Sequence, residues 1–326
     1  MARSKKPSRD DISLMVAVAQ LCYQKGKTQE EIAEMLEISR PKVSRLLSQA
    51  RENGIVEITV RNPIAQNTVI QQKLKQAFAL QDAIVTPMAV DQQEVIVPQI
   101  ARAAAEYIGE NLPEQAILGM GRGHSIYEMA NKLPADQTLQ PTVIPLSGGL
   151  GEGDAGYPIT EILTRTATAL GGKSKYLYAP ALVSGKQIRE SVLAEPHSQE
   201  VVQLWDKMDW AVLGIGAIPT LRRLEDPDFY RGLQAFVQEV KEKPVADFCL
   251  WFVLQNGLIP TTSNQNGLIA ATPEQISRAR VRMAVAGGIG KARAIYAVLK
   301  TGLLNVLVTE ERTAEEILRL KSEDDK

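Results

Sequence analysis

From Asn62 to the end of the chain, short apolar runs alternate with stretches of helical periodicity, and the runs repeatedly stop at glycine. This alternation is what most constrains the fold, because a strand–helix–strand order supplies the long crossovers that parallel strands need. Strands are expected near residues 83–86, 116–119, 142–146, 175–179, 210–214, 282–286 and 305–309. Helices are expected near residues 64–78, 94–110, 125–132, 159–170, 230–240, 291–300 and 314–321. The pattern predicts an α/β domain on a doubly wound, mostly parallel sheet. Residues 247–268 are less regular and read as a hairpin or insert beside the sheet, and residues 322–326 as a disordered tail.

The glycines cluster where those strands end: Gly119, Gly121 and Gly123; Gly148, Gly149 and Gly151; Gly214 and Gly216; Gly287, Gly288 and Gly290. In open α/β sheets ligands bind outside the carboxyl ends of the strands, and glycine loops entering helices present backbone N–H groups to anions. Arg122, Ser125 and Lys291 add two cations and a hydroxyl at such loops, and Ser147 adds another hydroxyl. One cluster alone is as readily a tight turn as a binding loop; several converging on one sheet edge describe a phosphate site. Two sharper phosphate motifs fail. A dinucleotide fingerprint would need glycine where His124 stands, and a P-loop would need residues other than Val285 and Ala292 around Gly290-Lys291. NAD and ATP are therefore not favoured, and no cofactor or metal is expected.

The first 62 residues follow a different pattern. Ile12, Met15, Val16, Ala19 and Cys22 recur at helical spacing until Gly26. Thr28 and Glu31 then read as a capping box opening a short helix with Ile32, Ala33 and Leu36 inward. After Ile38, Ser39 is placed to cap a third helix whose first turn tolerates Pro41. In it Val43, Leu46, Leu47 and Ala50 form a buried stripe, while Arg40, Lys42, Ser44, Arg45, Ser48 and Gln49 face outward with no acid among them. Helix, short turn and helix at this spacing is the geometry that seats a recognition helix in the major groove. Glu37 stands at the turn position where positive φ usually selects glycine. Residues 55–60 alternate like a strand, as in a winged variant. A plain three-helix bundle with a solvated polar face is the bland alternative, and the sorting of acids onto the second helix argues against it.

Charge supports that division modestly. Residues 1–62 hold 11 Lys/Arg against 8 Asp/Glu, and the remainder 26 against 30. The basic arm of Arg3, Lys5, Lys6 and Arg9 is as compatible with a solvated tail as with phosphate contacts. Cys22 and Cys249, both in apolar runs, fit free thiols in a reducing compartment and exclude a disulfide scaffold. No apolar run reaches the roughly 18 residues of a membrane span, and no signal peptide is legible, so the expected location is cytoplasmic.

With these features in place, the chain resembles the SorC family of sugar-responsive bacterial regulators from about residue 10 to about residue 318. The resemblance is carried by residues 23–33 and 39–47, by the 119–128 loop, by Leu146-Ser147-Gly148-Gly149-Leu150-Gly151, and by Ala179-Pro180-Ala181-Leu182. Most specific is Val285-Ala286-Gly287-Gly288 with Lys291-Ala292-Arg293-Ala294-Ile295 and then residues 302–309. It implies a helix-turn-helix over residues 1–62 and an effector and oligomerisation domain over residues 63–326, akin to sugar-phosphate isomerases and deaminases. The implied partners are double-stranded operator DNA, a phosphorylated sugar, and further copies of the chain as a homodimer or homotetramer. Candidate DNA contacts are Thr28, Gln29, Ser39, Arg40, Lys42, Ser44 and Arg45. Candidate effector contacts are Gly121, Arg122, Gly123, Ser125, Ser147, Gly148, Gly149, Asp247, Gly288 and Lys291. The strip around Asp247 departs from the family pattern in carrying Ala246, Leu250, Trp251 and Gln255.

Two other readings compete. A sugar-phosphate enzyme would need a tuned general base near the reacting carbon, yet the only histidines are His124 and His197, and no acidic cluster is legible. A constitutive DNA-binding protein with a decayed second domain would have no use for Ser125 and Lys291 at glycine loops.

Overall fold

The computed structural model describes residues 9–56, 68–88, 91–135, 138–150, 156–218 and 227–325. The expected strand beyond Val56, the basic arm at residues 3–6 and Gly151 lie outside them. The chain divides into two compact units, Met1–Pro63 and Ile64–Lys326.

In the first unit, α1 (Arg9–Ala19) runs into a π-turn at Gln20–Gln24, followed by α2 (Gln29–Met35) and α3 (Arg40–Glu52). Its core is Met15, Val18, Ala19, Ile32, Val43, Leu46, Leu47 and Ala50. Ile12, expected in that stripe, is exposed, and Val18 takes its share of the core instead. The capping box at Thr28 forms as expected: Glu31 N–H donates to Thr28 Oγ1 over 3.2 Å, and Thr28 N–H donates to Glu31 Oε2 over 2.7 Å. Ser39 occupies the N-cap of α3 in extended conformation, but its side chain makes no capping bond, which corrects the expected role. Glu37 has φ +52°, so the turn takes the left-handed conformation without glycine, at a cost of about 1 kcal/mol.

The second unit holds α4 (Thr68–Phe78), β1 (Asp82–Thr86), α5 (Gln93–Asn111), β2 (Ile117–Met120), α6 (His124–Ala130), β3 (Thr142–Pro145), α7 (Ile159–Ala169) and β4 (Lys173–Ser174). There follow α8 (Lys186–Ala194), α9 (Pro196–Trp205), β5 (Trp210–Leu213), β6 (Gly216–Ala217), α10 (Pro227–Val240), β7 (Ala246–Phe248), β8 (Trp251–Val253) and α11 (Pro273–Arg278). The unit ends with β9 (Val281–Val285), α12 (Ala292–Lys300), β10 (Val306–Glu310) and α13 (Glu311–Asp324). Seven strands form one sheet in the order β1-β10-β9-β5-β2-β3-β4, and every pairing in it is parallel.

Successive strand residues feed opposite faces, as the two-residue period demands. Ala211, Leu213, Ala284 and Leu307 join one core with α4, α9, α12 and α13. Trp210, Val212, Met283, Val306 and Val308 join the other with α5, α6 and α7. Residues 175–179, expected as a strand, are a correction: pairing to β3 stops at Ser174, and Tyr178 stands 82% exposed. The irregular insert is an antiparallel three-stranded sheet, β6-β7-β8, closed by a tight turn at Cys249 and Leu250. The expected tail at residues 322–326 is also corrected, because α13 runs to Asp324. There Tyr296 Oη and Lys300 Nζ each donate to Asp324 Oδ2 over 2.7 Å.

Candidate functional site

In the first unit the candidate surface is the outer face of α3. Arg40, Lys42, Ser44 and Arg45 are all exposed there, and none of them serves the core. Arg40 lies in the first turn, where its Nε forms an ion pair with Glu30 Oε1 of α2 at 2.8 Å. Of the other candidates, Ser39 is exposed and Gln29 half-buried. Thr28 is exposed, but its hydroxyl is already engaged in the capping box. The Lys27 ammonium and the Thr28 amide together hold the Glu31 carboxyl down at about 2.

In the second unit the sheet order sets β9, β5, β2 and β3 side by side, so their carboxyl ends form one continuous edge. Residues 286–291, 214–216, 121–125 and 146–149 follow those ends. The loops also touch one another: a Cβ on Gly214 would lie 2.9 Å from Arg122 O. Gly123 has φ +120° and caps α6 by position, and no side chain caps that helix, leaving its first-turn N–H groups without intrahelical acceptors. Ser125 is buried one residue into the helix. Arg122 is also buried, and its Nη2 donates to Ser147 Oγ over 3.1 Å and to Gly148 O over 3.0 Å. This places a guanidinium at the edge and uses it to tie the β2 and β3 loops together.

Several glycines act differently from the sequence expectation. Gly121 N–H donates to Val212 O over 2.7 Å, Gly148 N–H to Ile269 O over 2.9 Å, and Gly149 N–H to Ala179 O over 2.9 Å. Gly288 N–H donates to Glu310 Oε1 over 3.0 Å and to Thr313 Oγ1 over 2.9 Å, and Ile289 N–H donates to Asp91 Oδ1 over 3.1 Å. Gly121, Gly148, Gly149 and Gly288 therefore shape the edge but spend their donors within the protein. Gly288 suits glycine for a further reason, because its φ of +103° is a conformation that L side chains rarely adopt. Asp91, Glu310 and Thr313 were not foreseen, because nothing in a linear pattern links them to residue 288.

Lys291 closes the short turn after Gly288, half-buried at the N-cap of α12. It stands two strands from the 121–125 loop, or roughly 9–10 Å at the usual strand spacing. Asp247 is buried on β7, opposite Gly216 of β6 and Phe252 of β8. Its hairpin reaches the β2 loop, since a Cβ on Gly121 would lie 3.7 Å from Cys249 Sγ. Both residues of that hairpin turn have positive φ, +46° for Cys249 and +69° for Leu250. The 121–125 loop also carries an aromatic stack missed in the sequence: His124 lies on Tyr157 with ring centroids 4.9 Å apart and planes 20° apart. Among the described residues, no cluster of His, Cys, Asp or Glu could hold a metal, and no helix is long and apolar enough to cross a membrane.

Comparison with known proteins covers nearly the whole chain. The family described as "Putative sugar-binding domain" matches residues 62–319, and a "Crp-like helix-turn-helix domain" matches residues 24–67. The sorbitol operon regulator of Klebsiella pneumoniae is 29% identical over 312 residues, covering 95% of this chain and 99% of that protein. The deoxyribonucleoside regulator of Bacillus subtilis (strain 168) is 26% identical over 314 residues, covering 95% of this chain and 98% of that protein. The transcriptional regulator LsrR of Escherichia coli (strain K12) is 28% identical over 305 residues and 93% of each chain. The crystal structure of the full-length sorbitol operon regulator SorC from Klebsiella pneumoniae is similar with a TM-score of 0.71, covering 95% of this chain and 99% of that one.

Proposed function

Because the chain belongs to the SorC family of sugar-responsive, DNA-binding transcriptional regulators, we propose that it binds operator DNA as a twofold-symmetric oligomer under the control of a phosphorylated sugar. It is a regulator rather than a metabolic enzyme, in line with relatives named for operon and transcriptional regulation. It acts in the cytoplasm, on operators read by residues 1–62, and takes its signal through residues 63–326.

The observation carrying this reading is the gathering of Arg122, Ser125 and Lys291 at the carboxyl edge of one parallel sheet, with buried Asp247 on the hairpin beside it. The phosphate takes the first-turn N–H groups of α6 and the Ser125 hydroxyl. Lys291 supplies a full positive charge from across the edge. Arg122 holds the loop in shape and adds positive potential. Asp247 accepts hydrogen bonds from sugar hydroxyls, which distinguishes a sugar phosphate from inorganic phosphate. Gly121, Gly123, Ser147, Gly148, Gly149 and Gly288 set the contour against which the sugar lies.

Calorimetry of the full chain with sugar phosphates, the matching free sugars and inorganic phosphate tests this assignment. Wild type binds the phosphorylated sugar, and Lys291→Ala weakens binding by about 10-fold to 100-fold, the range for one charge-assisted contact. Equal affinity in the two proteins removes Lys291 from the site. Binding of free sugars alone removes the phosphate.

A further inference from the structure

The Arg40–Glu30 pair joins the first turn of α3 to α2 in the DNA-binding unit. Both side chains are open to solvent, 65% exposed for Arg40 and 60% for Glu30, so the pair adds little to folding stability. Its geometry is informative in another way. Glu30 Oε1 lies beside the guanidinium at Nε, 2.8 Å away, as an ion pair. Arginine reads guanine bidentately through O6 and N7, and a carboxylate on Nε leaves the two terminal nitrogens for that contact. Lys42 and Arg45 on the same face are in no ion pair among the described residues, as suits cations that meet phosphates. A carboxylate on a DNA-facing surface otherwise opposes binding, because it repels the phosphate backbone. Holding Arg40 in one orientation beforehand reduces the side-chain entropy lost on docking and offsets that repulsion.

Building on the operator-binding reading above, we infer that Arg40 reads a guanine in the major groove and that Glu30 is the positioning residue that aims it. Glu30 touches no base. It converts a flexible cation, which would bind any phosphate, into a sequence-reading group. The α2 acid and the first cation of α3 therefore act as one specificity element, and Lys42 and Arg45 supply affinity without discrimination.

The test starts by selecting duplexes from a random library with the full-length wild-type chain, which fixes a site. Each guanine of that site is then replaced in turn, and affinities of wild type, Glu30→Ala, Glu30→Gln and Arg40→Ala are measured by fluorescence anisotropy. Arg40→Ala loses discrimination at one G·C pair. Glu30→Ala reduces the penalty at that same pair by about tenfold, yet binds unrelated duplex more tightly than wild type, because a repelling charge has gone. Glu30→Gln, which removes the charge that draws the guanidinium, loses most of the discrimination as well. A purely structural role predicts the opposite pattern, an equal loss on every duplex, and that result overturns the inference. So does an unchanged penalty at every guanine in Glu30→Ala. If wild type enriches no sequence at all, the operator-binding reading fails first and the inference falls with it.

Discussion

Replacing Gly148 by alanine tests whether the β3 loop owes its place to close backbone contact. A Cβ at that position would lie 2.5 Å from Ala179 O and 2.6 Å from both Pro180 C and Pro180 O. All three are backbone atoms, so no side chain can swing aside and the two segments must separate. That separation pulls on Gly149 N–H to Ala179 O at 2.9 Å, on Ala181 N–H to Gly149 O at 2.7 Å, and on the bond from Arg122 to Gly148 O at 3.0 Å. Overpacking costs about 1–3 kcal/mol, and each weakened hydrogen bond adds about 0.5–1.5 kcal/mol. The sum is about 2.5–7.5 kcal/mol, or a fall in Tm of roughly 5–30 °C for a unit of this size. Gly156→Ala is the matched control, since a Cβ there meets nothing within 4 Å. Urea denaturation of full-length Gly148→Ala, Gly156→Ala and wild type measures the difference. Effector affinity falls in Gly148→Ala as well, because Arg122 loses one of its anchors. A Gly148→Ala midpoint within about 0.5 kcal/mol of Gly156→Ala would refute the packing argument.

Three further outcomes follow from the same geometry. The double variant Arg40→Ala/Arg45→Ala loses operator affinity by more than about tenfold, with a shallower salt dependence in gel-shift titrations, because one base contact and one phosphate contact are gone. Sedimentation shows a symmetric oligomer whose operator is an imperfect palindrome with half-sites separated by whole helical turns; a monomer on and off DNA would contradict this. Glu31 titrates near 2 instead of its ordinary 4.5, held there by the Lys27 ammonium and the Thr28 amide. Its stabilising contribution is therefore complete above about pH 4.5 and lost as pH falls through about 2, and NMR titration of wild type beside Glu31→Gln reads this loss directly.

The sheet was legible in the sequence because its strands are buried on both faces and its helices carry clear periodicity. Elements that depend on distant partners were not. The alternation of Tyr176, Leu177 and Tyr178 suggested a strand, but its ladder to β3 ends at Ser174, and the chain goes on to bridge Gly149 at Pro180. The helices α8 and α9 escaped notice, although Gly185, Pro196 and the Val201–Trp205 spacing were available as signals. Trp205 is held by its Nε1 donating to Pro145 O over 2.7 Å, a contact across 60 residues. The glycine loops do fall at the carboxyl ends of adjacent strands as the alternation predicted, but how each N–H is used was not legible. Donors at Gly288 and Ile289 go to Glu310 and Asp91, which lie far from them in the chain. In the DNA-binding unit, the capping box and the Val43–Ala50 stripe follow from local spacing and were readable. The Arg40–Glu30 pair joins two helices and was not.

The strand order also governs when the second unit can complete itself during synthesis. Among the described residues, β1 is the first strand and pairs only with β10, in register from Asp82 opposite Val306 to Thr86 opposite Glu310. More than two hundred residues separate the two. Until the ribosome has released that last strand, β1 has no ladder and β9 presents an open parallel edge, the kind of surface that templates aggregation. Chain ends so placed give a high contact order and slow final closure. A nascent chain halted before Val306 thus lacks the strand that joins its beginning to its middle, and a truncation of β10 and α13 leaves the second unit unable to close its sheet.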